Sequence, residues 1–168
     1  MNDTSTSTHP QHIPARPTPR ALAGRLVNPV GLGCMGMSEF YGSSDDQESL
    51  ATLHAAVELG VQHFDTADTY GLGHNETLVG RFLRALGSSQ RERLVVATKF
   101  GIVRAEGRYE RRIDNSPAYI RQACEASLKR LGVERIDLFY AHRRDAQVPL
   151  ADMMGTLADL VAEGKIAA

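Results

Sequence analysis

Cysteine is scarce in this chain of 168 residues: Cys34 and Cys124 are the only two, and they form no CxxC pair. That excludes a disulfide scaffold and makes a reducing, cytoplasmic compartment the default expectation, with both thiols packed or free. Charge of one sign is not in excess either. With 19 Lys and Arg against 20 Asp and Glu, the net charge is −1, so no global field draws the chain to nucleic acid or an anionic membrane. No apolar run approaches the ~20 residues needed to span a bilayer. No charged segment followed by an apolar one opens the chain as a secretory signal would. No His/Cys cluster has zinc-ligand spacing, and no serine or cysteine sits in a pattern that would activate it as a nucleophile. Small molecules are therefore the expected partners, with no metal, nucleic acid or membrane.

Proline is also rare outside the start. Four of the seven prolines (Pro10, Pro14, Pro17 and Pro19) fall in residues 1–20 behind a Ser/Thr run. That segment has little apolar surface to offset its ordering entropy and is expected to be a disordered tail. His9 and His12 within it form an HxxH pair with no carboxylate or cysteine nearby, and they are read as spectators. Two arginines are too few to make the segment a transit peptide.

Residues 21–168 have the composition of one globular domain: the whole chain is 42% hydrophobic and 23% charged, in the range of soluble folds with a real core. VGLGCM (30–35) reads as a short strand. DDQESLATLHAAVEL (45–59) reads as a helix with acids in its first turn and Gly60 at its end. VQHFDT (61–66) is a strand. Asn75 is the expected cap of a helix running to Leu86, and RLVVATK (93–99) is β-rich. Ser116-Pro117 has the form of a cap with proline at the first helical position, and that helix ends at Gly132. IDLFYAH (136–142) is the fourth strand, and Pro149 opens a last helix ending at Gly164. Strands alternating with helices imply parallel pairing through right-handed crossovers. Either an open doubly wound sheet or part of a (β/α)8 barrel satisfies this order.

Gly31-Leu32-Gly33-Cys34-Met35-Gly36 matches G-x-G-x-x-G literally. The dinucleotide fingerprint needs a strand before it and a helix opening on it. Pro29 interrupts the first, and the next helix starts only near Asp45, so the match is read as accidental. An open-sheet nucleotide-binding domain is the least favoured reading for the same reason.

In parallel α/β folds the chemistry collects at the carboxyl ends of the strands. Asp65, Asp68 and Tyr70 end the second strand, Lys99 the third and His142 the fourth. Strands alternate faces, so His63 and Asp65 share one face, as do Val95, Ala97 and Lys99, and Ile136, Leu138, Tyr140 and His142. A lysine ending an apolar strand needs a partner where its ammonium is buried, and Asp65 is the natural one. Each residue alone has an ordinary role: Asp68 reads as a turn or cap residue and His63 as packing. Together Asp65, Tyr70, Lys99 and His142 fit a proton-transfer site, because an ammonium beside a phenol favours the phenolate and a neutral imidazole can hydrogen-bond a carbonyl.

GLGCMGMSEFYG, HFDTADTYG, VVATKFG and RIDLFYAHRRD resemble, in this order, the signature segments of the aldo-keto reductases, over roughly residues 21–166. The resemblance implies a parallel (β/α)8 TIM-type barrel and NADP(H)-dependent reduction of an aldehyde or ketone. It places a catalytic tetrad on Asp65, Tyr70, Lys99 and His142, with Tyr70 as general acid. It also puts Cys34, Met35 and Asp65 beside the cofactor. ALAGRLVN (21–28) resembles the family's opening β-hairpin, which plugs the barrel floor, and residues 100–117 would form a loop above the site.

Members of that family run to about twice this length. The resemblance therefore implies an N-terminal half of the barrel, truncated to about four βα units, with its first and fourth strands presenting unpaired backbone. Val95, Leu138 and Tyr140 would lack their facing layer. Self-association through the exposed barrel edges follows as an expectation. The alternative to a reductase is an inactive reductase-like fragment, or an interaction subunit that pairs through its open edge.

Overall fold

The computed structural model of the protein describes residues 18–108 and 110–168. The expected tail, with His9 and His12, lies outside the described residues except for its last three positions. Of these Arg20 already belongs to the first strand.

That strand, β1 (Arg20–Leu22), and β2 (Arg25–Val27) form the expected antiparallel hairpin. A parallel sheet follows, built from β3 (Leu32–Gly33), β4 (His63–Asp65) and β5 (Val95–Phe100). A small antiparallel ribbon, β6 (Ile102–Val103) and β7 (Arg112–Ile113), rises from the next loop. The fourth parallel strand is β8 (Leu138–Ala141), and the sheet order is β3-β4-β5-β8. Between the strands run α1 (Asp46–Glu58), α2 (His74–Ala85), the short α3 (Ser88–Arg91), α4 (Pro117–Leu131) and, after β8, α5 (Leu150–Ala162).

Local chemistry sets the helix ends. Asp45 caps α1, its Oδ1 accepting from the N–H of Gln47 at 2.8 Å and Glu48 at 2.9 Å, a contribution of roughly 1 kcal/mol. Ser116 caps α4 through the Tyr119 N–H with Pro117 at the first helical position, and Gly132 ends the helix at φ +68°, a conformation glycine adopts without a Cβ penalty. Asn75 departs from expectation. The cap position of α2 is Gly73, and Asn75 is the second residue of the helix, inside its first turn and fully buried.

Strict alternation along β5 divides the protein into two layers. Val96, Thr98 and Phe100 face the helices, while Val95, Ala97 and Lys99 face the concave side. The outer layer is the main core, with Phe64, Phe82, Phe100, Ile120 and Leu131 all fully buried. Burying each such side chain contributes roughly 1.5–3 kcal/mol. On the concave side Val27 packs on Val95, Ala97 and Leu138, with Leu22 and Ala23 beside them. The hairpin is thus a floor under the sheet. Arg25 reinforces it, donating to the Leu94 carbonyl and pairing with the buried Asp137 at 3.2 Å.

Three expectations about the concave side and the edge need correction. Val95 and Leu138 do not lack a facing layer, because the hairpin covers them, while Tyr140 is 40% exposed. Ile136 belongs to the outer core rather than sharing the face of Leu138, because it precedes the continuous strand and pairs separately with Ile166. The edge of β8 is not bare either. Phe139 N–H donates to the Ala168 carbonyl at 2.9 Å, and Ala167 N–H donates to that of Ile136 at 2.8 Å. Residues 165–168 therefore run as an extended segment along that edge.

Candidate active site

Parallel register carries the polar residues to one end of the sheet. Asp65 pairs with Ala97, and Lys99, two residues further along the same face, pairs with Tyr140. The side chain of Lys99 thus ends beside Asp65 and above the apolar floor. Its ammonium forms an ion pair with Asp65, donates to the Thr66 carbonyl at 2.8 Å and reaches the Tyr70 hydroxyl at 3.2 Å. An ammonium has three protons, and these three acceptors use all of them. The lysine is consequently locked in direction.

Tyr70 opens a short 3-10 turn, Tyr70–Gly73, that joins β4 to α2. Its ring is buried, and its edge-to-face contact with His142 has centroids 5.6 Å apart. His142 is fixed at the end of β8 by its N–H, which donates to the Phe100 carbonyl at 2.8 Å. Its Nδ1 is buried and unpartnered. Burial depresses its basicity first, the Lys99 charge next, with Arg143 adding and Asp65 opposing. A neutral imidazole at neutral pH is the result. The structure thus brings Asp65, Tyr70, Lys99 and His142 to one place.

Met35, in the 3-10 turn Met35–Met37, lines a cleft of about 160 Å3 with Tyr70, His142, Thr69 and Ile102. Cys34 does not line it. The Cys34 side chain is fully buried in the outer layer, and burial, then Asp65, pushes its thiol up to about 12. His63 faces the concave side beneath the site, where burial lowers its basicity and leaves Nε2 unpartnered.

Asp68 lies in the turn expected of it, but its carboxyl finds its partner beyond that turn. Its Oδ2 accepts from the Tyr119 hydroxyl on α4 at 3.3 Å, and its Oδ1 is buried without a partner. Burial first, then the charge of Glu76, push its carboxyl up to about 7, against the pull of Arg130.

Sequence reasoning missed the polar network that seats the Tyr70 turn. Glu76 is fully buried and accepts from Thr98 Oγ1 and Arg130 Nε, both at 2.6 Å. Asn75 accepts from Thr66 Oγ1 at 2.6 Å and donates to the Cys34 carbonyl and Ser38 Oγ, both at 2.8 Å. A signal was present. Glu76 precedes Val79 by three and Leu83 by seven, and Asn75 stands likewise to Leu78 and Phe82, so both lie on the apolar stripe of α2. Across the cleft Arg104 pairs with Glu39 at 2.9 Å and donates to the Thr69 carbonyl at 3.2 Å, so the loop after β5 is tied to the Tyr70 turn.

Among the described residues no helix is long and apolar enough to cross a membrane, and no group of three or more His, Cys, Asp or Glu could hold a metal ion.

The model of the Aldo/keto reductase family matches residues 29–168. A Glycine max protein named Probable aldo-keto reductase 1 is 42% identical over 90% of this chain and 43% of its own length. The Schizosaccharomyces pombe protein named Aldo-keto reductase yakc [NADP(+)] is 39% identical over 88% of this chain and 43% of its own. Among solved structures, the glycerol dehydrogenase of Gluconobacter oxydans superposes with a TM-score of 0.80 at 34% identity, covering 92% of this chain and 47% of that one. The chain thus spans about half the length of the relatives it matches.

Proposed function

The chain belongs to the aldo/keto reductase family, and on that premise we propose that it reduces an aldehyde or ketone to an alcohol with NADP(H), Tyr70 acting as general acid. The observation that carries this reading is the ammonium of Lys99, held at once by Asp65, the Thr66 carbonyl and the Tyr70 hydroxyl. The cofactor is proposed because the S. pombe relative carries NADP(+) in its name. The residues present fit its reactive end: Met35 offers an apolar wall in the cleft that Tyr70 and His142 line, and Asp65 keeps a partly exposed carboxylate beside them.

When bound, the reduced cofactor supplies the hydride that adds to the carbonyl carbon. The chain's own residues handle the proton. His142, kept neutral, donates a hydrogen bond to the carbonyl oxygen and sets its direction. As negative charge develops on that oxygen, the Tyr70 hydroxyl gives it a proton. The phenolate left behind sits 3.2 Å from the Lys99 ammonium, whose positive charge stabilises it where little water competes. Asp65 orients Lys99 and balances its charge.

The test is reduction of an aldehyde followed by loss of NADPH absorbance, paired with NADPH binding measured by its fluorescence. Turnover with saturable binding supports the reading. A second reading, an interaction subunit that pairs through the open side of the sheet, has the 40% exposure of Tyr140 in its favour. Dimerisation without NADPH binding would select it.

A further inference from the structure

The cleft that Tyr70 and His142 line has an unbalanced charge at its mouth. Glu39, Arg104, Arg111 and Arg143 all line it. Glu39 is committed to Arg104 in a two-oxygen contact, both at 2.9 Å, and deeper in the site Asp65 is committed to Lys99. Of the three guanidiniums lining the cleft, only Arg104 has a carboxylate partner among the described residues. Arg111 and Arg143 are left as surplus positive charges in a chain whose net charge is −1. Arg111 lies over the ring of Phe40, 5.8 Å from its centroid, near enough for a cation–π contact. Phe40 itself is held at φ +74°, a conformation a bulky residue rarely adopts. Arg143 directly follows His142 in the chain, and its charge is one of the causes of that imidazole's lowered basicity.

We infer that the carbonyl substrate carries an anionic group, a carboxylate or phosphate, which Arg111 and Arg143 receive while its carbonyl lies at Tyr70 and His142. The inference rests on the reductase reading above for what happens to the carbonyl, but not for the binding of the anion. Guanidinium is the side chain best matched to both anions, because its planar fork gives paired, charge-assisted hydrogen bonds. A cleft of about 160 Å3 suits a compound smaller than the drug-sized ligands of ~300–1,000 Å3 pockets. Arg111 and Arg143 are then specificity-determining residues, and Phe40 is a positioning residue for Arg111.

The experiment compares matched pairs of aldehydes in wild type, R111Q, R143Q and the double variant: 4-oxobutanoate with butanal, and glyceraldehyde 3-phosphate with glyceraldehyde. Both arginines are exposed, so neither change threatens the fold. In wild type kcat/KM should favour the anionic member of at least one pair by roughly tenfold or more. The pair that shows it tells carboxylate from phosphate. The double variant should bring that ratio close to one, mainly through KM. A wild-type ratio near one overturns the inference, as does a ratio that survives the double substitution. Loss of NADPH affinity in the double variant, with the aldehyde preference intact, also overturns it by assigning the charges to the cofactor. Should no aldehyde turn over, the reductase reading fails separately. Saturation-transfer NMR of 4-oxobutanoate against butanal then decides the anion site: selective binding lost in the double variant upholds it, and equal binding of the two rejects it.

Discussion

Breaking the Glu76–Arg130 pair should cost different amounts depending on which partner is removed. Glu76 has no exposed side-chain surface, whereas Arg130 keeps 29% of its own. Glu76→Gln leaves an amide oxygen to accept from Thr98, and the stranded guanidinium can turn partly into water. We expect a loss of about 2 kcal/mol, below the ~3–5 kcal/mol typical of a buried pair broken on one side. Arg130→Met instead leaves a fully buried carboxylate with only the Thr98 hydroxyl, so the full ~3–5 kcal/mol applies. The double variant should lose less than the sum, because neither charge is then stranded. Urea unfolding at neutral pH measures this directly. With a slope of ~2 kcal/mol per molar, the two single variants should lower the midpoint by about 1 M and about 2 M. Equal midpoints, a reversed order, or additive losses in the double variant would refute the reasoning. The pair also bears on the site, because the stem of Arg130 crosses Gly73 so closely that a Cβ there would meet its Cδ at 2.7 Å. Gly73 ends the turn that presents Tyr70.

Three further outcomes follow from the same geometry. Asp68 keeps its proton to about pH 7 when folded, against an ordinary value of 3.8. Between those values the folded state binds more protons than the unfolded one, so stability falls as pH rises. Asp68→Asn should flatten that slope between about pH 4 and pH 7 in unfolding midpoints, and an unchanged slope contradicts the assignment. Gly80→Ala adds a better helix former, yet its Cβ would meet the backbone carbonyls of Arg130 at 2.5 Å and Leu131 at 2.7 Å. It should destabilise by roughly 1–3 kcal/mol, and a raised thermal midpoint would show that α2 and α4 do not pack so closely. Lys99→Met should lower turnover by ~10²–10³ with the circular-dichroism spectrum retained, because Asp65 is exposed enough to be hydrated alone. Near-normal turnover would remove Lys99 from the chemistry.

What the chain reveals by sequence alone is what local chemistry controls. Asp45, Ser116-Pro117 and Gly132 mark helix ends through backbone groups a few residues away, and the period-2 run from Val95 to Phe100 sorts inside from outside without reference to any partner. The clustering of Asp65, Tyr70, Lys99 and His142 follows once the strands are parallel and in order. Asn75 was misread for the opposite reason, and Asp68, rightly placed in a turn, was only half read. Both are residues with strong local habits as caps and turns, and both side chains are engaged by groups distant in sequence: Cys34, Ser38 and Thr66 for one, Tyr119 for the other. Ile136 was misassigned because a period of two holds only within a continuous strand, and β8 begins two residues later. The glycine pattern at residues 31–36 does not open an α-helix: a 3-10 turn, Met35–Met37, overlaps its end, and the first α-helix starts only at Asp46. No local pattern pairs the guanidinium of Arg104 with Glu39, 65 positions away, so the composition of the cleft mouth was not legible before folding.

The role of Tyr70 as proton donor is best tested by Tyr70→Phe, read in two quantities at once: kcat for aldehyde reduction and the dissociation constant for NADPH. The ring, its contact with His142 and the turn all survive the loss of one oxygen. A fall in kcat of ~10²–10⁴ with NADPH affinity unchanged is the predicted result. Turnover retained within a few-fold of wild type, with the cofactor bound, would contradict it.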